Sequence, residues 1–454
     1  MAERRLIWGL MLVAVLVRAS AILVLQSHHI PRSTYEHGEI AANILAGRGF
    51  SVRFLGADGP TSQQAPIYPY LLAAAYQVGG AETPQSLLIL ELGQALLGGA
   101  LVYSSICLAR TIAPGRIWVV ALVGLITALH PTLVYAATHV QVALLAATLV
   151  TASLALAFRA ARTGRDWDAV ACGSGLALLA LTDPILGLVT PGVAWVIASD
   201  RGLRGARRPV AILIATMVIG VTPWIVRNAI VHKEFVLVKS TFGYAFWQGN
   251  CALSEGTDKV VRPSVERVLQ QSKGGLQGIN ESLWKARHEA GYLDDIALTQ
   301  ADYRQFAKVS EPERSRILFR RAVADIKHDP ARFVSLTLRR LRYFVFFDET
   351  NPKTRSLIYR TGHLGLTILA ACGILLMTPE MRRRSGPTVL TVVLIAAFHS
   401  LTIVSARFHV PIEPILAVWA GVGFGSRRLT PAACDVVGVR VFKLRLREVA
   451  HVHH

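Results

Sequence analysis

Apolar runs, several of them long enough to cross a hydrocarbon layer as a helix of about 20 residues, recur along this chain and alternate with short arginine clusters. Candidate spans lie near 6–25, 85–107, 117–135, 140–158, 167–182, 184–199, 209–226, 358–377, 386–404 and 412–426. This pattern predicts an all-α polytopic membrane helix bundle of about ten spans. Composition agrees: 52% of residues are hydrophobic and 17% charged. A soluble domain of this length needs more charge to cover its surface.

The net charge of +19 raises nucleic acid as a partner, but the placement of the arginines argues against it. They sit between apolar runs, not along one face. If the N-terminus is cytoplasmic, so are Arg110 and Arg116, then Arg159, Arg162 and Arg165, then Arg201, Arg204, Arg207 and Arg208. Arg382, Arg383 and Arg384 and the basic tail 427–454 fall on the same side. Every short basic loop is then inside, as expected of a plasma-membrane protein with both termini cytoplasmic. The first run follows Arg4 and Arg5, lacks a small-residue cleavage site and reads as a retained helix. The five cysteines show no zinc spacing, and His451, His453 and His454 in the tail are assigned no role.

One domain, 1–426, thus carries two long outer loops, 26–84 and 227–357. Within the second, Ser310 and Glu313 read as a capping box, and Asp329-Pro330 stops the run that follows. Arg339, Arg340 and Arg342 next to Tyr343, Phe344, Phe346 and Phe347 suit a helix lying among headgroups.

The first loop reads Tyr35-Glu36-His37-Gly38-Glu39, then Gly47-Arg48-Gly49-Phe50, then Pro60-Thr61 and Pro66-Ile67-Tyr68-Pro69. Glu36 is placed either as a general base toward an acceptor hydroxyl or amine, or as a carboxylate capping a helix that begins near Gly38. Arg18, Glu91 and Asp183 are charges inside or between apolar runs, where pairing is the commoner explanation. For Arg18, Glu36, Asp183 or Glu413 is the expected partner, with a donor phosphate as the alternative. Tyr68, Trp224 and Trp247 fit an aromatic belt, with a sugar platform as the alternative for Trp247.

These segments resemble the first outer loop of bacterial GT-C glycosyltransferases, relatives of protein O-mannosyltransferases and of the lipid A aminoarabinose transferase. Two further stretches are similar to that family's motifs: Pro223-Trp224-Ile225-Val226-Arg227-Asn228 with Gly243, Trp247, Gly249 and Asn250, and Arg407-Phe408-His409-Val410-Pro411-Ile412-Glu413-Pro414. The chain departs from the family in having glutamate where aspartate is usual in the first loop. It also offers His130, His139 and Gln141 where many relatives carry a second acid.

The resemblance implies transfer of a sugar from a polyprenyl-phosphate donor to a protein, lipid or glycan acceptor on the outer face. Its site would draw a catalytic acid from Glu36, Glu39 and Asp183, and substrate contacts from Arg227, Asn228, Trp247, Asn250, Arg407, His409 and Tyr68. Guanidinium groups would hold the leaving phosphate, unless they only reach toward lipid headgroups. No carboxylate cluster demands a divalent ion, so neither metal nor other cofactor is expected. A transporter or flippase of lipid-linked sugars shares this topology, and a catalytically silent relative is a third reading. A transporter would tend to show paired halves or mid-membrane charges, and no repeat is evident.

Overall fold

The computed structural model describes residues 1–30, 34–260, 263–271 and 274–427, so the basic tail beyond 427 lies outside the described residues. Every predicted span coincides with helix: α1 Ala2–Leu25, α4 Pro84–Ile112, α5 Ile117–Leu129 with α6 Pro131–Tyr135, α7 Ala143–Thr163, α8 Asp166–Ala180, α9 Thr190–His232, α17 Leu357–Leu376, α18 Pro379–Leu401 and α19 Glu413–Ser426. The count differs from about ten. Six helical stretches among the described residues are long and apolar enough to cross a membrane, or seven if the bent α5–α6 pair is one span. Helix α8 has only 15 residues, and α9 runs for 43, broken at Gly202 where φ is +69°. Two predicted spans therefore share one element, kinked at a glycine that tolerates positive φ. Side chains such as Leu12, Leu16 and Leu23 of α1 are exposed, as a lipid-facing surface requires. This is a multi-pass membrane protein.

Arg18 is fully buried, and among the described residues no carboxylate is its partner. Its guanidinium donates to the carbonyls of Thr127 and Ala128, and of Ala14 in its own helix. Thr127 and Ala128 lie in the last turn of α5, whose carbonyls lack helical partners. The arginine thus caps the helix where the chain bends into α6.

Both long loops lie on one face. The first supplies α2 Tyr35–Leu45, the hairpin β1 Ser51–Phe54 and β2 Ala57–Pro60, and α3 Ile67–Gly79. The hairpin turns on Leu55 and Gly56, both at positive φ, the geometry that matches strand twist. The second supplies α10 Phe242–Asn250, β3 Lys259–Val260, α11 Pro263–Gln270, α12 Gly275–Glu289, β4 Gly291–Tyr292, α13 Leu293–Ala297, α14 Gln300–Phe306, α15 Glu311–His328 and α16 Pro330–Val345. Helix α15 starts at Ser310, whose side chain accepts from Glu313 N. The reciprocal half of the expected capping box is missing, because Glu313 instead binds Arg316 and Arg320. Helix α16 exposes Val334, Leu338, Leu341 and Val345, an apolar stripe at helical spacing suited to the headgroup region.

Polar clamps join the loops. The Glu311 carboxylate accepts from Thr61 Oγ1 at 2.6 Å, Ser62 N at 2.7 Å and Ser240 Oγ at 2.5 Å. Arg314 donates to Phe54 O at 2.8 Å. Burying these groups is tolerable because each is paired.

Candidate active site on the loop face

Helix α2 begins at Tyr35, which is held at φ +48°. A non-glycine residue there costs on the order of 1–3 kcal/mol, strain that is often concentrated at functional sites. The next residue, Glu36, makes no hydrogen bond or ion pair among the described residues and is partly exposed. Around it the large loop sets several cations.

Lys239 ends an extended stretch in which Phe235 and Leu237 are exposed while Val236 and Val238 are buried. Its ammonium donates to Gln64 at 3.1 Å. Burial lowers its proton affinity, Arg407 adds to that effect, and Asp183 and Glu36 oppose it. Glu36, Asp183 and Arg407 therefore share one electrostatic neighbourhood. Tyr292 reports the same grouping: burial raises its proton affinity, and Arg287, Asp258, Glu36 and Arg407 all act on it.

Arg287 of α12 lies over the rings of Tyr35 and Trp284, at 4.9 and 5.5 Å. Lys353 lies over Tyr135 and Trp284, at 4.8 and 5.3 Å. Lys259 is paired with Asp258 at 3.2 Å. Arg287, Lys353 and Arg407 have no ion pair among the described residues. Lys353 is held well below the usual lysine range by burial and then by Arg287, Arg407 and Lys259. Cations that repel one another gain from an anion arriving among them.

The other sequence candidates lie outside this cluster or are engaged elsewhere. Glu39 is exposed and accepts from Arg53 N at 2.8 Å. Arg227 donates to Thr61 O at 2.6 Å and Phe50 O at 3.0 Å, and lies over Trp224. Asn228 accepts from Ser62 Oγ and donates to Val238 O. Tyr68 donates to Gln94 and accepts from Gln141 N. Trp247 packs in an apolar cluster under the loops. Asn250 donates to Thr402 O and accepts from buried Arg340. Its neighbour Gly249 lies so close to the Thr402 carbonyl that a Cβ would overlap it, which explains the glycine. Asp183 caps the turn that follows α8 by accepting from Ile185 N. His409 is buried 3.0 Å from Glu413. Lys239, Asp258, Lys259, Arg287, Tyr292 and Lys353 were not singled out in the sequence, since nothing in their spacing marks them.

His37, beside Glu36, is nearly buried, and its proton affinity is lowered to about 3 by burial and then by Lys239 and Arg407. The unfolded chain takes up that proton near the ordinary histidine value of about 6.5. Below that value the unfolded state therefore binds more protons than the folded one. The stability contribution is complete above about pH 6.5 and is lost as pH falls toward 3, with a slope of up to about 1.4 kcal/mol per unit. Melting curves in detergent should show wild type losing stability over this range, and His37→Gln should flatten that part of the profile.

No protein-family profile and no curated protein sequence matches the chain. Solved structures do. The archaeal oligosaccharyltransferase AglB from Archaeoglobus fulgidus, in complex with an inhibitory peptide and a dolichol-phosphate, aligns with TM-score 0.55 at 14% identity over 99% of this chain and 52% of that one. The apo form of the Archaeoglobus fulgidus oligosaccharyltransferase gives 0.52 at 14% identity over 98% and 52%. ArnT from Cupriavidus metallidurans, bound to undecaprenyl phosphate, gives 0.41 at 17% identity over 92% and 76%. The chain spans about half the length of the archaeal enzyme. The oligosaccharyltransferase alignments show that it has the GT-C fold.

Proposed function

We propose that this protein is a membrane glycosyltransferase that moves one sugar from a polyprenyl-phosphate donor to a hydroxyl or amine acceptor at the outer face of the plasma membrane. One observation carries the reading. Glu36, free of hydrogen bonds and ion pairs among the described residues, acts electrostatically on Tyr292 together with Arg287 and Arg407, and on Lys239 together with Arg407, and neither arginine is ion-paired among those residues.

In the reaction, Glu36 takes the proton of the acceptor as its oxygen or nitrogen attacks the anomeric carbon. The bond from that carbon to the phosphate oxygen breaks on the opposite side, with inversion. The electron pair stays on the leaving phosphate, where Arg407, Arg287 and Lys353 stabilise the growing charge. Lys239 extends this cationic surface. It also lines a cavity of about 330 Å³ shared with Phe235, Leu237, Phe242 and Phe319, walls suited to the first isoprene units of a lipid tail. The same fold in the archaeal oligosaccharyltransferase is seen with a dolichol-phosphate.

Purified protein incubated with labelled polyprenyl-phosphate sugar and a mixture of envelope acceptors should release free polyprenyl phosphate. Movement of the intact donor across a liposome bilayer, with no release, would establish a flippase instead.

A further inference from the structure

Away from the cation recess, four buried side chains meet where α5, α17 and α19 come together. His130 stands at the α5–α6 bend, His363 in α17, His409 just before the short turn Val410–Ile412, and Glu413 at the start of α19. Their exposures are 6%, 1%, 1% and 0%. All three Nδ1 atoms face the one carboxylate. His409 and His363 lie 3.0 and 3.4 Å from Oε1, and His130 lies 3.4 Å from Oε2.

The remaining ring nitrogens are already committed. His130 Nε2 is 3.3 Å from Gly362 O, and His363 Nε2 is 3.0 Å from Val345 O. A carbonyl only accepts, so each Nε2 carries the proton, and in a neutral ring the Nδ1 then presents a lone pair. In a neutral ring the lone pair of His130 Nδ1 consequently faces a carboxylate that has only lone pairs to offer, and the 3.4 Å contact of His363 Nδ1 with Glu413 Oε1 is a hydrogen bond only if that ring also carries a proton there. His409 Nε2 contacts the Tyr359 hydroxyl at 2.6 Å. His130 Nδ1, His409 Nδ1 and Glu413 Oε2 are buried without a hydrogen bond, despite their short separations.

We infer that His363, His409 and Glu413, with His130 completing the set, hold a divalent transition metal, and that zinc fits best. Four ligands at zinc–nitrogen and zinc–oxygen distances of about 2.1 Å stand about 3.4 Å apart along a tetrahedron edge. His409 and His363, at 3.0 and 3.4 Å from Oε1, approach that edge, while His130 stands 3.4 Å from the second carboxylate oxygen. The ligand atoms of His363, His409 and Glu413 also lie within 4.8 Å of one another. Imidazole nitrogen with a carboxylate suits zinc, and backbone carbonyls behind two of the rings are the outer partners that orient metal-binding histidines.

Protons alone are a poorer solution. They require imidazolium at both His130 and His363 beside one carboxylate, close to Arg18, which is bonded two and three residues before His130. They also leave three polar atoms outside hydrogen-bond geometry. With every ligand buried, the site is structural. It ties the bend after α5 to α17 and α19, and it anchors the segment carrying Arg407, two residues before His409.

Protein purified without a polyhistidine tag and dialysed after zinc loading should retain a single zinc ion per chain by mass spectrometry. Its X-ray absorption should show nitrogen and oxygen scatterers at about 2.0–2.1 Å. Chelation should lower the melting temperature, and zinc should restore it. His363→Ala and Glu413→Gln should lose the ion. Because removing a buried ligand can unfold the protein, Tyr359→Phe is the companion variant. It keeps all four ligands and should weaken zinc binding by about 10–100-fold. A monodisperse wild-type protein that holds no zinc and melts identically with chelator would overturn the assignment. So would zinc content unchanged in both ligand variants, which would place the ion elsewhere, for example on His451, His453 and His454.

Discussion

Glu36→Gln should lower the transfer rate by about 10²–10⁴-fold, the range that a positioned general base contributes. The substitution keeps the shape of the side chain and removes its capacity to take a proton. Glu36 makes no hydrogen bond among the described residues, and the side chain before α2 does not cap it. Its structural share is thus limited to the favourable field of a first-turn acid, worth about 0.3–1 kcal/mol. Unfolding midpoints should shift little while single-turnover rates collapse, with donor binding by titration nearly unchanged. Full activity in a folded, membrane-inserted Glu36→Gln protein would remove the base from this position and direct attention to Asp183, which shares the neighbourhood of Lys239.

Arg407→Ala should reduce the rate by about 10²–10³-fold, as expected when one fixed donor to a developing negative charge is removed. Its effect on stability should be small or of opposite sign. Arg407 is exposed, has no ion pair among the described residues, and is felt as a like charge by Lys239, Lys259 and Lys353. Removing it relieves repulsion in the ligand-free protein, so melting temperature should hold or rise as activity falls. Arg407→Lys restores the charge without the planar fork and should recover only part of the rate. If Arg407→Ala instead unfolds the protein, the residue is a structural anchor.

The bundle was legible because membrane helices have to present uninterrupted apolar runs. What the runs did not show was how they are joined. The pause at Gly202 lies inside one helical stretch, and α8 at 15 residues falls below the span length. On the loop face, Glu36 and Arg407 were marked by motifs near helix ends. Arg287, Lys353 and Asp258 were not, because their positions are fixed by contacts far away in sequence. Arg227 shows the converse. A basic residue at the end of an apolar run reads as a phosphate ligand, whereas its carbonyl partners at Phe50 and Thr61 are 177 and 166 residues distant. Arg18 was expected to pair with an acid, and helix-end carbonyls took that place because a bend exposes them. His130 and His409 stood out singly in the sequence, but their meeting with His363 and Glu413 did not, because these residues have no common spacing.

The clamp of Glu311 on Thr61 and Ser62 bears on the order in which the protein is made. The ribosome delivers the first loop early; Arg227 and Asn228 can hold it at Phe50, Thr61 and Ser62 next, and the contacts from Glu311 and Arg314 can form only once that later stretch has been made. Lys353 and Arg407 arrive later still. A prematurely terminated chain would therefore carry most of the apolar helices while its first loop still lacks the Glu311 clamp, and Lys353 and Arg407 with it.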